Sequence, residues 1–314
     1  MFASSDAGPL RAGSGFVLGL VCSIAIANPS AAQTSVGRAD FPMVSLAFEG
    51  FLDSRPKAPP VLSPDLETRI VHSSIEVGLL WRKSEATRFV AGAGFDLVRF
   101  DMRQNRLPWT PDDLYDIGVA ASWQRRFSPD WSVSARARPH LASDLRNGGA
   151  DHLNVDGSLL LRGGHRGRGR FGFGAILTSI FGRRLVLPVL ELGWSRSDAV
   201  LGFEVVLPER ALFIYRPSKS IELGLRGRVE GNRYRVGENV EFPAGTVLEE
   251  PLVRYSVLTV GPVVQTALSR SAYLTLESGA ALFRRFDIES RDVRVADLDL
   301  GSGVEVRLGL EIRR

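Results

Sequence analysis

Apolar and polar residues alternate along the chain from about Phe41 to its C-terminus, in segments of ~8–16 residues between turn residues. The last segment shows this best. One face carries Leu298, Leu300, Val304, Val306, Leu308, Leu310 and Ile312. The other face carries Asp299, Gly301, Gly303, Glu305, Arg307, Gly309, Glu311 and Arg313. Such strands are typical of a membrane barrel, because one face meets lipid and the other faces the lumen.

The alternation predicts an all-β chain of about fourteen strands. They lie at 41–52, 67–83, 86–100, 112–127, 130–142, 152–162, 169–181, 185–195, 198–206, 211–216, 220–236, 251–268, 271–288 and 299–313. Connections after even strands are mostly tight, whereas long polar connections follow odd strands, at 53–66, 101–111, 143–151, 237–250 and 289–298. This parity favours an antiparallel up-and-down transmembrane barrel with short periplasmic turns. The short connections near 182–184 and 207–210 fit least well and leave twelve strands as an alternative.

Four tryptophans support the same arrangement. Trp81, Trp123, Trp131 and Trp194 each fall on the apolar face of a predicted strand, within about four residues of a tight turn. Side chains at one level near the short turns predict an aromatic girdle at the periplasmic membrane interface. Trp109 lies in a long predicted loop and is not part of this set.

The N-terminal segment has the features of a secretory signal peptide. Arg11 gives a weakly basic start, residues 16–27 (FVLGLVCSIAIA) form a short apolar region, and Ser30-Ala31-Ala32 precede Gln33. We therefore expect a signal peptide at 1–32 and a barrel domain at 33–314. A membrane anchor is less favoured because the apolar run is short and is followed by Asn28 and Pro29. The only cysteine lies in this segment, so the mature chain has no disulfides.

The composition of the chain limits which classes of partner are expected. The chain has 314 residues, of which 24% are charged and 44% hydrophobic, and its 32 glycines argue against long helices. The net charge is +4, but arginine alternates with apolar residues and is mixed with Asp and Glu. A nucleic-acid partner is not expected, because that would require a clustered basic face with stacking aromatics. The expected partners are outer-membrane lipids, the barrel-assembly machinery and small solutes.

Charged residues concentrate on the face predicted to line the lumen. An arginine facing lipid at mid-depth would cost about 2–4 kcal/mol, and this cost fixes the orientation. The main lumen candidates are Glu76, Asp96, Arg136, Arg138, Glu222, Arg226, Arg228, Glu277, Glu305 and Arg307. The same face is assigned Arg82, Asp116, Asp156, Arg162, Glu230, Arg254 and Glu311. With both signs mixed, this wall either lines a weakly selective channel or closes the lumen through ion pairs.

The sequence indicates no catalytic, cofactor or metal site. His72, His140, His152 and His165 lack metal-ligand spacing. His72 and Ser74 point the same way at positions i and i+2, but without a defined hydrogen-bond relay for nucleophilic catalysis. The glycine-rich 163–169 segment lacks the helix and the Lys-Ser/Thr of a phosphate-binding loop. We therefore expect no enzyme activity and no cofactor.

The stretch from Asp130 to Gly237 resembles an uncharacterised family of bacterial outer-membrane barrel proteins, a domain of unknown function. The resemblance is carried by DWSVSARARPHLASDL, GRFGFGAIL, FGRRLVLPVLELGWSRSD and LPERALFIYRPSKSIELGLRGRVEGNRYRVG. It implies barrel architecture and brings no functional residues. Barrels of this kind usually end in an aromatic residue, whereas this chain ends in Ile312-Arg313-Arg314.

These observations predict a Gram-negative outer-membrane barrel acting as a weakly selective passive channel for small solutes. The alternative is a structural or interaction barrel whose lumen is closed by side-chain ion pairs. A soluble periplasmic β-sandwich is the non-membrane rival. It would have a closed core on one strand face and no tryptophan girdle.

Overall fold

The computed structural model describes residues 44–54, 67–82, 84, 86–103, 113–146, 152–164, 169–194, 200–237, 239–242, 246–290 and 293–312. The predicted signal peptide, the Gly163–Gly169 turn in part, and most of the long connections lie outside these residues. The strands are β1 (Val44–Ser54), β2 (Glu67–Arg82), β3 (Thr87–Arg103), β4 (Asp113–Arg126), β5 (Trp131–Ser143), β6 (Leu153–Gly163), β7 (Arg170–Thr178), β8 (Leu185–Trp194), β9 (Leu201–Leu207), β10 (Arg210–Tyr215), β11 (Ile221–Arg235), β12 (Val240–Phe242), β13 (Thr246–Leu248), β14 (Leu252–Ala267), β15 (Ala272–Ser290), β16 (Val293–Asp299) and β17 (Gly303–Ile312).

The strands close into an antiparallel barrel. β1 to β11 pair in sequence order, and β11 then pairs with β14, β14 with β15, β15 with β17 and β17 with β1. Within the described residues this ring has fourteen strands, so the predicted strand number and the up-and-down order are confirmed. None of the described residues lies in a helix long and apolar enough to span a membrane.

Two segments predicted as loops contain strands. β16 lies in the predicted 289–298 connection and pairs with the upper part of β15, while β17 pairs with its lower part. The last strand is therefore interrupted near Gly301, whose φ of 69° favours glycine. An ion pair between Arg285 and Asp297 helps to hold β16 on β15. Farther back, β12 and β13 form a separate hairpin within the predicted 237–250 loop.

Four tight turns share the same hydrogen bond, which is made by a serine at the start of the turn. The side-chain oxygens of Ser84, Ser128, Ser218 and Ser269 each accept a hydrogen bond from the backbone N–H three residues later, at 3.0–3.2 Å. A serine that bonds the backbone locally satisfies a donor at the turn. These four serines lie in tight connections that were predicted after even strands, and their hydrogen bonds stabilise the reversal of the chain there.

The outer face of the barrel is apolar. Leu79, Phe173, Phe213, Leu225 and Leu308 lie on it, and all are exposed. Side chains of the opposite parity point into the lumen, where most are buried. A continuous exposed apolar wall around a polar interior is the arrangement of a transmembrane barrel and not of a soluble sandwich.

One side of the barrel wall is short. β7 to β10 have 9, 10, 7 and 6 residues, whereas β2 to β4 have 16, 17 and 14. Above this short wall β11 reaches across and makes a parallel bridge to β5, with Arg235 opposite Ser143. The approach requires Gly231, because a Cβ there would lie 2.2 Å from the carbonyl oxygen of Ile180. The residues after β7 thus pack against β11, and β11 is drawn over the lumen.

The interior has an apolar layer at the end with the long connections. Phe100 contacts Tyr255 and Phe286 edge-on, with ring centroids 6.1 and 5.3 Å apart, and Phe51 contacts Tyr255 at 6.4 Å. These rings belong to a buried apolar cluster from β1 to β5, β11 and β13 to β15. We call this cluster the apolar layer. Directly beneath it lies the charged interior.

Candidate functional site: a charged network across the lumen

β11 presents four polar side chains to the lumen. Arg226, Arg228, Glu230 and Asn232 occupy alternate positions, and the two-residue period of a strand therefore points all of them inward. Because β11 is drawn across the barrel, these side chains reach strands on other walls. The interior is organised around this strand.

Arg228 connects β11 to three other strands. Its guanidinium donates to Glu49 on β1 at 2.8 Å, to Glu305 on β17, and to Glu277 on β15 at 3.3 Å. In the sheet order, β14, β15 and β17 separate β11 from β1, so the bond to Glu49 crosses the lumen. Arg228 and Glu49 are each 3% exposed. The crossing is therefore shielded from water.

Arg226 and Arg307 extend this cluster. Arg307 on β17 lies 3.5 Å from Glu49 and 3.2 Å from Glu230, and Arg226 bonds Glu277. We call Glu49, Arg226, Arg228, Glu230, Glu277, Glu305 and Arg307 the central network. Each arginine meets at least one carboxylate, which is what a buried charge requires.

A second cluster lies on the opposite wall around Arg138 on β5. Arg138 bonds Asp116 at 2.7 Å and lies 3.5 Å from Asp156 and 3.8 Å from Asp96. His140 lies between Asp116, at 2.9 Å, and Asp156, at 3.3 Å. We call these five residues the Arg138 network.

Two contacts join the networks. Asn232 on β11 donates to Asp116 on β4, a second connection across the lumen. His72 on β2 bonds Asp96 through Nε2 at 2.8 Å, and Glu49 and Glu230 lie close to the same imidazole. The lumen is therefore bridged from β11 in two directions, towards β1 and towards β4.

A third set of ion pairs follows the short wall. Arg162 bonds Glu191 at 2.6 Å, and Arg170 lies 3.2 Å from the same carboxylate. Arg170 and Arg210 both bond Glu204. These pairs join strands of β6 to β10 that are adjacent or next but one in the sheet, and they do not cross the barrel.

The histidine–serine pairs do not form a nucleophilic relay. His72 bonds Asp96, while the hydroxyl of Ser74 donates to the carbonyl of Ala47 at 3.2 Å. Ser143 and His152 lie 2.7 Å apart, a pair that was not predicted from the sequence. The Ser143 hydroxyl also donates to the adjacent Asp144. In this hydrogen-bonded trio the serine, and not the histidine, therefore lies between the other two groups. A general base needs the histidine between the other two groups.

The structure places the described tryptophans on the outer face near the short turns. Trp123 is in register with Phe89, Trp194 with Phe203, and Trp131 meets Phe171 edge-on at 5.5 Å. The backbone of Trp81 is in register with Phe89. The side chains of Trp81 and Arg82 lie outside what the structure describes.

Residues 71–296 match the profile of a family described as "Domain of unknown function (DUF6268)". The chain belongs to this family. The match extends well beyond the Asp130–Gly237 stretch that carries the resemblance in the sequence. Comparison with curated proteins gave no match.

Among solved structures, the DUF6268 chain is similar to several membrane barrels. One is described as the NanC porin, with 10% identity, 86% of this chain and 100% of that chain covered, and a TM-score of 0.37. The translocator domain of the autotransporter NalP from Neisseria meningitidis has 13% identity, with 91% and 93% covered and a TM-score of 0.36. A TodX monoaromatic hydrocarbon channel mutant has 8% identity, with 91% and 92% covered and a TM-score of 0.40. The barrel assignment itself rests on the strand pairing described above.

The structure brings most lumen candidates into these networks. Asp96, Arg138, Arg228, Glu277, Glu305 and Arg307 are buried in them, and Arg226 joins them. Glu76 is buried, with the positive charges of Arg136 and Arg138 near it. Glu222 instead bonds Arg216 at 2.7 Å, close to a short turn.

The lumen assignment of Arg254 is wrong. Arg254 is in register with Arg233, whereas its neighbour Val253 is in register with the inward Tyr234. It therefore lies on the other face of β14 and bonds Glu289. The apolar residues on both faces of 252–268 hid this register, because the inward positions here belong to the apolar layer.

Glu49, the residue at the far end of the lumen crossing, was not among the lumen residues predicted from the sequence. Glu49 follows the period-2 alternation of β1, but its neighbours on the inward face are Ala47 and Phe51. One acid between two apolar residues gave no polar face to recognise. A charged residue between apolar inward-facing positions of β1 was the feature that could have identified Glu49.

Proposed function

We propose that this DUF6268 protein is an outer-membrane barrel whose lumen is closed at rest by ion pairs. In this proposal it acts as a structural or interaction protein in the membrane and not as an open pore. The observation that carries the proposal is the bond from Arg228 to Glu49 across the lumen, with both side chains almost fully buried. A solute would have to displace these charges from their partners.

The membrane location is supported by the barrel surface. Exposed aliphatic and aromatic side chains surround the wall, with tryptophans near the short turns. The signal peptide proposed at 1–32 would deliver the chain across the inner membrane, and the barrel-assembly machinery would insert residues 33–314. Outer-membrane lipids are then its immediate partners.

The apolar layer adds a second seal. Phe51, Phe100, Tyr255 and Phe286 pack against one another above the central network. Water and ions enter a packed aromatic layer at a high free-energy cost, because its rings offer few hydrogen-bond partners. The buried guanidinium of Arg284 lies against this layer, 4.9 Å from the ring centre of Phe51. In this proposal the apolar layer and the central network are two successive barriers along the lumen.

A weakly selective channel for small solutes is the second candidate. The observation in its favour is the mixture of signs in the networks, since rearranged ion pairs would leave a wall without a single-sign filter. In this candidate function the cross-lumen pairs act as a gate.

Planar-bilayer recording of the purified, refolded protein tests the two functions. We expect the wild type to be silent, and Arg228→Ala to give brief ion currents because its four carboxylate partners lose their bridge. Lys219→Ala, in an exposed turn, is the matched control and should behave as the wild type. A wild-type protein with steady, large conductance would refute the closed barrel and favour the channel.

A further inference from the structure

We propose that the lumen contains a binding site for one divalent transition-metal ion, held by Glu49, His72 and Glu230. One donor atom from each side chain lies within 4.8 Å of the other two. The three residues come from β1, β2 and β11, so the site forms only in the closed barrel. This inference is independent of whether the lumen conducts.

The spacing suits a metal ion. Zinc–nitrogen and zinc–oxygen bonds are about 2.0–2.2 Å long, so two ligands of a tetrahedral zinc ion lie about 3.4 Å apart. Donor atoms within 4.8 Å of one another can close onto an ion through side-chain shifts of less than about 1 Å each. The imidazole favours zinc and similar ions over magnesium or calcium, which prefer oxygen ligands.

Asp96 orients the histidine as a metal site requires. Its carboxylate bonds Nε2 of His72 at 2.8 Å, so Nδ1 is the nitrogen that can ligate while this bond is kept. Histidines that bind metal ions usually donate their other N–H to a carboxylate or carbonyl in this manner. A purely structural histidine needs no third carboxylate near its ring.

Both glutamates can bind an ion and keep their arginines. Oε2 of Glu49 accepts from Arg228 and Arg307, and Oε1 of Glu230 lies near the same two arginines. The second oxygen of each carboxylate is the one to turn towards the ion. Such carboxylates would be oriented by hydrogen bonds, as ligating carboxylates usually are.

The charge balance also favours a cation. Glu49 and Glu230 lie close to the His72 imidazole, and Asp96 bonds its Nε2, so three carboxylates surround this ring. Glu49 and Glu230 share Arg228 with Glu277 and Glu305, so a divalent ion beside them would meet carboxylates that one guanidinium serves jointly.

Free space lies beside two of the three ligands. The side chains of His72 and Glu230 are 17% and 13% exposed, whereas Glu49 is 3% exposed. The space for an ion therefore lies next to the histidine and Glu230, with Glu49 as the most buried ligand. The ion would tie β1 and β2 to β11 and strengthen the lumen crossing.

Titration calorimetry of the untagged, refolded full-length barrel with Zn²⁺, after removal of metals by a chelator, tests the site. We expect one zinc ion per chain, and His72→Gln should weaken binding at least about tenfold. The matched control is His140→Gln, the other lumen histidine between two carboxylates, and it should bind zinc as the wild type does. Heat-modifiable migration on a detergent gel reports whether each variant is folded.

A second measurement needs no variant. Cu²⁺ bound to the wild type at one equivalent should show electron paramagnetic resonance coupling to one imidazole nitrogen. Absent nitrogen coupling, no stoichiometric zinc binding, or equal zinc affinity in folded His72→Gln would each overturn the proposal.

Discussion

The apolar layer and the central network fill the same lumen, one above the other, by different physics. In the apolar layer, Phe100 meets Tyr255 and Phe286 through ring contacts of 5.3–6.1 Å. In the central network, Arg228 is held by four carboxylates from four strands. Apolar contacts have no fixed direction and lose stability in proportion to the volume removed. Ion pairs are directional, and removal of one partner leaves the others as uncompensated buried charges.

This difference explains which layer determines the shape of the interior. Burying ion pairs contributes little net stability, because desolvation offsets most of the attraction. The network nevertheless specifies which strands face each other, since Arg228 finds its partners only when β11 lies across the lumen. The apolar layer stabilises that arrangement without specifying it.

Arg228→Ala should have the largest effect on stability. Four carboxylates would lose their shared partner, and we expect a loss of about 3–5 kcal/mol in the free energy of unfolding. Urea unfolding in detergent micelles, followed by tryptophan fluorescence, measures this loss. A loss below about 1 kcal/mol, the range of exposed pairs, would mean that the network is solvated and that the two layers do not differ.

A charge placed on either face of β17 should distinguish lipid from lumen. Val306 is exposed on the outer face, so Val306→Arg should cost about 2–4 kcal/mol and impair insertion. Gly309 points inward, where a Cβ would have its nearest neighbour at 3.6 Å, and Gly309→Arg should insert more efficiently. The folded fraction of each variant in lipid vesicles, read from heat-modifiable gel migration, provides the comparison. Equal insertion would show that the facing of β17 is wrong.

Ile288→Val should have the smallest effect of the three. It removes one methylene from a fully buried position in the apolar layer, and we expect a loss of about 0.5–1.5 kcal/mol. The same urea experiment measures it, with Ile312→Val on the exposed face as the control. If Ile288→Val destabilises the barrel as much as Arg228→Ala, a small loss of volume in the apolar layer matters as much as the loss of an arginine in the central network. The two layers would then not differ in their response to substitution.

Much of the barrel could be predicted because each prediction used local information. The alternation placed β2 at 67–83 and β11 at 220–236, within a residue or so of the observed Glu67–Arg82 and Ile221–Arg235. The serines at the tight turns marked the chain reversals. Arg254 was misplaced because the inward face of β14 is apolar there, so polarity no longer distinguished inside from outside.

The sequence by itself determined the strand faces and the antiparallel order, because the two-residue period and the turn residues act between near neighbours in the chain. Only the tertiary structure decided which lumen charges meet. Arg228 and Glu49 are 179 residues apart, and their contact depends on barrel closure, on the short β7–β10 wall and on the path of β11. The proposed metal site has the same origin, since Glu49, His72 and Glu230 come together only when β11 crosses the lumen to face β1 and β2. The two-residue alternation determines which face of the sheet a side chain occupies. The residue that it contacts there depends on the stagger and curvature of the whole sheet.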